Sequence, residues 1–304
     1  MSEHRAGNPW GTEVMATGIV AVGLHLAGLV WAARVLLAVT AALWVVLAVT
    51  FGRLVAGGGP RLREGTSDPA ALTTVAATGV LGDGAAMVSR PVAAAVLLGL
   101  AAALWAVLLP RVLRRLGRRL PGAAFVVTVA TQAVAVLAAT LAVRRPERWL
   151  LWPAGVLIAI GLLLYVVVLA RFDLGELMAG AGDQWVVAGS LSISALALGK
   201  VTSATDAPTA LAGATLTVLA AALAWYAVLV VCEALRPRPS YDGRRWATVF
   251  PLGMTAVSAM TAGRACDVPW LGTLGKGLLW PAVVVWAVVA AGAVRHAVAA
   301  SSSD

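Results

Sequence analysis

Residues 96–109 read VLLGLAAALWAVLL, fourteen residues without a charged side chain. They form the centre of an apolar segment, 90–110, that begins at Arg90 and is followed by Arg111. A helix of about 20 apolar residues crosses the ~30 Å hydrocarbon core of a bilayer. Similar runs recur along all 304 residues, of which 61% are hydrophobic and 12% are charged, and the mean hydropathy is +0.90. A soluble domain has about 25% charged residues. The sequence therefore predicts a single all-α integral membrane domain over residues 1–304.

Apolar runs between charged residues and Pro or Gly breaks predict ten transmembrane helices. The predicted spans are 10–33, 35–56, 69–89, 90–110, 121–143, 149–170, 184–204, 208–235, 246–265 and 276–298. The segments between these spans are short. They leave no room for a soluble domain beside the membrane domain.

The basic residues predict the orientation of these spans. If the N-terminus is cytoplasmic, the inner segments hold 15 of the 23 Lys and Arg residues and the outer segments hold eight. Lys and Arg are enriched in cytoplasmic loops, so both termini are predicted to be cytoplasmic. Topology then explains the net charge of +9 without nucleic-acid binding. Because only Lys200 and Lys276 are lysines, the composition is typical of a high-GC bacterial genome. The predicted location is a bacterial inner membrane.

The predicted spans alternate in character. Gly, Ser and Thr make up 30 of the 109 residues in the odd-numbered spans but 12 of the 116 in the even-numbered spans. Small residues let helices approach closely, and hydroxyls offer hydrogen bonds to neighbours or water. The odd spans also begin 52 to 63 residues apart, which predicts five helical hairpins around an axis. Five inner helices of this kind can enclose a narrow central pore. The alternative is that the small residues only tighten helix packing.

Four odd-numbered spans contain distinctive strings. They are PWGTEVMATGIVAVG (9–23), TTVAATGVLGDGAAM (73–87), DQWVVAGSLSISALA (183–197) and RRWATVFPLGMTAVSAM (244–260). These strings, VMATGIV and WATVFPLGM above all, resemble the tellurite-resistance/dicarboxylate transporter family. That family includes the plant slow anion channels, yeast malate and sulfite transporters, and bacterial tellurite-resistance proteins. The order and spacing of the spans agree with it along essentially the whole chain.

The resemblance implies a fold of ten helices in five hairpins, usually as a homotrimer, with one anion pore in each protomer and no cofactor. It also implies small inorganic or organic anions and membrane lipid as partners. In the family a phenylalanine on the ninth helix plugs the pore, and the matching residue here is Phe250. Pro251 follows it and is expected to kink the helix, because proline removes one backbone hydrogen bond. The sequence departs from the family pattern at Asp83, where a neutral residue is expected, and in the fifth span, which has no matching string.

Small and hydroxyl residues near the middle of the odd spans are the candidates for lining the pore and binding an anion. They are Thr17, Gly18, Thr78, Gly79, Thr131, Gly189, Ser190, Pro251 and Gly253. The glycines either widen the lumen or permit close packing of helices. The hydroxyls either donate to an anion or bond to the backbone of their own helix.

Four ionisable residues are candidates for charged pore or coupling sites. Asp83 lies inside a predicted span, where a charge is costly and suggests a function or a partner. It could serve a proton-linked step, pair with a pore cation, or lie in a wet vestibule near Arg90. His25 could titrate near neutral pH or be a packed, hydrogen-bonded residue. Lys200 and Arg264 lie near outer span ends, where they attract anions or simply snorkel to the interface.

The leading hypothesis is an anion channel or transporter that moves a halide, an oxyanion or a C4-dicarboxylate through a pore gated by Phe250. The alternative is a proton-coupled transporter of dicarboxylate, sulfite or tellurite-type oxyanions. An enzyme is disfavoured, because the sequence has no paired carboxylates or histidine cluster for acid–base or metal chemistry. The two cysteines, Cys232 and Cys266, are predicted at opposite membrane faces, so no metal site is expected.

Overall fold

The computed structural model describes residues 10–144, 148–205, 209–238 and 241–301. Within these residues the chain is helical, and the long helices are numbered α1 to α10. They are α1 (Trp10–Leu26), α2 (Val30–Gly57), α3 (Leu72–Met87), α4 (Pro91–Leu113), α5 (Val126–Arg144), α6 (Leu151–Leu169), α7 (Val186–Ala204), α8 (Thr209–Leu235), α9 (Trp246–Ala265) and α10 (Pro269–Ser301). Short helices at Gly59–Gly65 and Glu176–Ala179 lie in the connections. The predicted all-α class is confirmed for the part of the chain that the structure describes.

Eight of the described helical segments are long and apolar enough to cross a membrane. They are Val30–Gly57, Pro69–Met87, Pro91–Leu113, Gly122–Val143, Arg148–Leu169, Asp183–Ala204, Thr209–Leu235 and Pro269–Ala299. The segment Gly11–Leu26 is apolar but shorter. The ninth helix, α9, is not among the eight, and its sequence contains six Gly, Ser and Thr residues. A multi-pass membrane protein follows from these helices.

The odd-numbered helices contact one another in cyclic order. Helix α1 contacts α3, α3 contacts α5, α5 contacts α7, α7 contacts α9, and α9 returns to α1. We call these five the ring helices. Each even-numbered helix packs on the ring helix before it and makes a smaller contact with the next ring helix, so that α10 also contacts α1. We call these five the outer helices.

Burial follows the same alternation. Within the most apolar windows of the segments that contain α3, α5 and α7, 83–94% of the residues are buried, against 17–33% in the five outer helices. The outer helices expose large apolar side chains, for example Val96, Leu163 and Val284. Such a surface suits lipid, because lipid tails are as apolar as these side chains. The small-residue spans are therefore the inner layer of the fold.

Glycine lies at the points where ring helices approach most closely. A Cβ atom placed on Gly189 of α7 would lie 2.8 Å from Pro251 Cγ of α9, and one on Gly79 of α3 would lie 3.1 Å from the Ala133 carbonyl oxygen of α5. Equivalent close contacts are made by Gly18 with α3 and by Gly253 with α1. For these glycines the contacts favour close packing, the second of the two alternatives left open by the sequence.

The first two helices meet earlier in the chain than the sequence predicted. The turn lies at residues 27–29, and Arg34 lies in the second turn of α2 rather than in a loop. Gly28 reverses the chain with φ +94°, a conformation that glycine adopts easily. No charged residue marks this turn, so it cannot be recognised within the apolar run that starts at Leu26.

The last helix also begins earlier than predicted. Its first residue is Pro269, which follows a turn at Asp267 with φ +53°, and Lys276 is an exposed residue within the helix. A lysine near a membrane boundary keeps its ammonium group in water while its stem lies along the helix, so it does not end the span. The predicted start of the eighth span, residue 208, lies outside the described residues. So do Arg5 and Arg145, two of the basic residues counted above for the predicted orientation.

Replacing Gly189 by alanine is expected to destabilise the protein by about 1–3 kcal/mol, because the new methyl group would overlap Pro251 and push α7 away from α9. Thermal unfolding in detergent, followed by circular dichroism, measures this loss. The matched control is Gly155→Ala on outer helix α6, where a Cβ atom meets nothing within 4 Å. An equal effect of the two substitutions would contradict the close-contact interpretation.

Candidate functional site

A narrow cavity lies where all five ring helices meet. Its volume is about 10 Å³, room for about one water molecule. It is lined by Ile19 and Val22 of α1, Gly79, Val80 and Asp83 of α3, Ala133 and Val136 of α5, Ile193 and Leu196 of α7, and Met254 of α9. We call it the axial cavity. Apart from Asp83, its lining is apolar, so it is a constriction with little to stabilise an ion.

Phe250 lies on α9, and it is only 1% exposed. It precedes Met254, a lining residue of the axial cavity, by one helical turn. Residues four apart in a helix share a face. Pro251 beside Phe250 is inside the helix, as predicted, and packs against Gly189 of α7.

A larger cavity lies at the C-terminal ends of the ring helices. Its volume is about 300 Å³, and it shares Val22 and Asp83 with the axial cavity. The remaining lining residues are His25 and Leu26 of α1, Met87 of α3, Lys200 of α7, and Val257, Thr261 and Arg264 of α9. We call it the vestibule. All four ionisable candidates from the sequence, which lie on four different helices, line this one space.

Asp83 lies at the junction between the two cavities. Its residue is 4% exposed, and its Oδ1 accepts a hydrogen bond from the Thr140 hydroxyl at 2.6 Å. Lys200 Nζ lies 3.6 Å from the same oxygen, and the lysine side chain is 23% exposed. The carboxylate is therefore held by α5 and α7 as well as by its own helix. Of the open readings of Asp83, the contacts favour a pairing with a cation of the vestibule.

Arg264 is anchored at the rim of the vestibule. Its Nη2 donates a hydrogen bond to the Leu26 carbonyl oxygen at 3.1 Å. Leu26 is the last residue of α1, where helix carbonyls lack intrahelical partners. Arg264 therefore joins α9 to the end of α1, and one of its donors is already in use.

The sequence model of the voltage-dependent anion channel family matches residues 7–294. The chain belongs to this family. The family includes the tellurite-resistance/dicarboxylate transporters, so the resemblance inferred from the sequence is confirmed. Membership indicates an anion channel or transporter, and a cavity lined by Lys200 and Arg264 is consistent with that class.

Two relatives of this chain are uncharacterized membrane proteins of Mycobacterium tuberculosis, one from strain CDC 1551 / Oshkosh and one from strain H37Rv. Each is 28% identical over 123 residues, which cover 37% of this chain and 62% of the relative. The aligned region is thus less than two thirds of each relative. Both support a membrane location.

The hydroxyl candidates are engaged within the helix bundle. Thr78 and Thr131 donate to the Thr74 and Val127 carbonyl oxygens of their own helices. They also accept hydrogen bonds from the indoles of outer helices α2 and α4, at 3.0 and 2.9 Å. Thr17 accepts a bond of 3.1 Å from an indole of α10. These hydroxyls face the outer helices, so the contacts favour a packing role for them. Ser190 likewise donates to the carbonyl oxygen of residue 187.

The indole donors were missed by the sequence argument, although a signal for them exists. They are Trp44, Trp105 and Trp286, and the outer helices carry aromatic residues at 44, 105, 165, 225 and 286. The spacing is 60 or 61 residues throughout. This repeat on the outer helices is more regular than the spacing of the odd spans, and it marks one equivalent position in each hairpin.

Replacing Lys200 by methionine is expected to destabilise the protein by about 2 kcal/mol, because the Asp83 carboxylate would lose its cation while staying buried. The figure is below that for a fully buried pair because Lys200 is partly exposed. Adding Asp83→Asn should restore most of the lost stability, since an amide needs no counter-charge. Thermal unfolding in detergent of both single variants and the double variant tests this. Additive losses would show that the two residues do not interact.

Proposed function

We propose that this chain is an anion channel or channel-like transporter in which each protomer has its own pathway along the ring axis. The ten helices are proposed to cross a bacterial inner membrane as five hairpins, with both termini in the cytoplasm. The observation that carries the proposal is that two cavities lie next to each other. A vestibule with two cationic side chains shares Val22 and Asp83 with a constriction lined by all five ring helices.

The vestibule supports anions as the cargo. Lys200 and Arg264 lie on two different ring helices around a space large enough for a small oxyanion or a C4-dicarboxylate. Cations at the mouth of a cavity with low-dielectric walls raise the local concentration of anions. In the proposed orientation this mouth faces the outside of the cell, where an incoming anion would first meet it.

Phe250 is proposed to be the gate. Phe250 is buried and lies one turn of α9 before Met254, which lines the constriction. A bulky apolar group in a narrow pathway blocks ions by excluding water. The proline that follows removes one backbone hydrogen bond of α9 and so gives the helix a point where it can bend.

A homotrimer is proposed from the resemblance, with the exposed apolar faces of the outer helices in contact with lipid or with neighbouring protomers. Native mass spectrometry of the protein in detergent would test it. A monomer under conditions that preserve activity would contradict it and leave the pathway within one protomer untouched.

Replacing Phe250 by alanine is expected to increase anion flux about tenfold or more, because removing as little as ~1.4 kcal/mol from a barrier has that effect. The measurement is a flux assay in proteoliposomes with chloride, nitrate, sulfite, malate and tellurite in turn. The control is Phe51→Ala, which removes a half-buried phenylalanine from outer helix α2. If both folded variants carry anions no faster than the unchanged protein, Phe250 is not the gate.

A second candidate is a proton-coupled transporter, favoured by the presence of both His25 and Asp83 in the vestibule lining. Here Asp83, beside Lys200, or His25 would carry the proton. Uptake should then rise when the outside is acidic, and Asp83→Asn or His25→Gln should abolish that dependence. If the uptake rate of the preferred anion is the same with and without an imposed pH gradient, this candidate is excluded and passive flux is favoured.

A further inference from the structure

Asp83 lies at the point where a negative charge is least favourable to an anion. It lines both the vestibule and the axial cavity, so any anion on the axis passes its carboxylate. Like charges repel strongly where the surroundings are apolar. Packing alone does not require the charge, because an asparagine has the same shape and can also accept the Thr140 hydrogen bond. The presence of a carboxylate here calls for a role that uses its charge.

The contact with Lys200 indicates that role. Both residues line the vestibule, and Lys200 Nζ lies 3.6 Å from Asp83 Oδ1. The Asp83 carboxylate thus occupies the place beside the ammonium group where a free anion would bind. Arg264, the other cation of the vestibule, already donates to the Leu26 carbonyl oxygen at the rim. Lys200 is therefore the cation nearest to the constriction, and Asp83 is bound to it.

We propose that Asp83 is a tethered anion that occupies Lys200 when the pathway is empty, and that a permeating anion must displace it. The inference rests on the proposed function, since it concerns the same pathway. The two partners are suited to an exchange. Asp83 is fixed by α3 and by Thr140, whereas Lys200 has a flexible four-carbon stem and is 23% exposed towards the vestibule. The lysine moves between the tethered carboxylate and the incoming anion.

This competition sets the concentration dependence of transport. With Asp83 in place, an anion binds Lys200 only by replacing a partner that is always present. Without the carboxylate, the same ammonium group is free, and anions bind at lower concentration. The pair therefore weakens anion binding at the mouth. Weak binding allows an anion to leave again, as conduction requires.

The test uses full-length protein in proteoliposomes, with Phe250→Ala as the background so that the gate does not limit flux. Chloride influx is measured over a range of chloride concentrations. Asp83→Asn is expected to lower the half-saturating chloride concentration about threefold or more, within the range expected for a change in local electrostatic focusing. Lys200→Met should raise it. In protein that also carries Lys200→Met, Asp83→Asn should not bring the half-saturating chloride concentration below that of the Phe250→Ala protein. The site for which the carboxylate competes is then gone.

The matched control is Asp267→Asn, which removes the same charge at the same end of the ring from an exposed turn outside the vestibule lining. It should leave the half-saturating concentration unchanged. An equal shift with Asp267→Asn would mean that general surface charge, and not displacement from Lys200, sets the binding.

Two failures are distinguishable. If the Phe250→Ala protein carries chloride but Asp83→Asn changes only its unfolding temperature, the pair is structural and the tethered-anion proposal is wrong. If folded protein with Phe250→Ala carries no anion, the proposed function itself fails, and this inference fails with it. Should Asp83→Asn not fold, Asp83→Ser replaces it, because a serine hydroxyl also removes the charge and can accept the Thr140 hydrogen bond. A half-saturating chloride concentration lowered below that of the Phe250→Ala protein only when Lys200 is present supports the competition, and one lowered as far in Lys200→Met protein contradicts it.

Discussion

The close approach of the five ring helices is the constraint on which the rest of the molecule depends. Around the ring, four contacts place a glycine against the neighbouring helix, as where Gly79 meets Ala133 and Gly189 meets Pro251. Helix α5 is in addition held to outer helix α6, because Gln132 donates to the Ile158 carbonyl oxygen. Backbones that are this close leave an axial space of about 10 Å³. A single aromatic side chain can close such a space, which a wider bundle would not permit.

The outer helices hold this ring in register. In three of five cases an indole of one outer helix donates to a threonine of the next ring helix, and that threonine belongs to the following hairpin. An interhelical hydrogen bond in a membrane contributes about 0.6 kcal/mol on average. These bonds therefore add little stability, and their main effect is to fix the position of each outer helix against the next ring helix. They connect successive hairpins, while the glycine contacts connect successive ring helices. The bond from the last outer helix to Thr17 of the first ring helix links the two ends of the circle.

Much of the fold could be predicted from the sequence, because apolar length and the alternation of small residues report directly on lipid and protein contact. The bounds predicted for the ninth span agree with α9, whereas the turn at Gly28 was missed because no polar residue marks it. The sequence marks Asp83 as a costly charge inside a span and Lys200 as a cation near an outer span end. Their contact could not be predicted, since it joins residues 117 positions apart through the packing of α3 on one side of the axis and α7 on the other. The contacts of the Thr78 and Thr131 hydroxyls with outer helices could not be predicted either, because a sequence gives the residue type without the direction of the side chain.

Helix direction explains why the two cations of the vestibule, Lys200 and Arg264, have different roles. The ring helices present their C-terminal ends to the vestibule, and helix C-termini carry a partial negative charge that opposes anions. Arg264 offsets part of that charge directly, by donating to the last carbonyl of α1. Lys200 lies one turn before the end of α7 and is nearer to the axis, since it reaches Asp83 at the constriction. Arg264 therefore offsets charge at the end of α1, while Lys200 pairs with Asp83. In the proposed pathway, the attraction for anions at the constriction depends on whether Asp83 or a free anion holds Lys200.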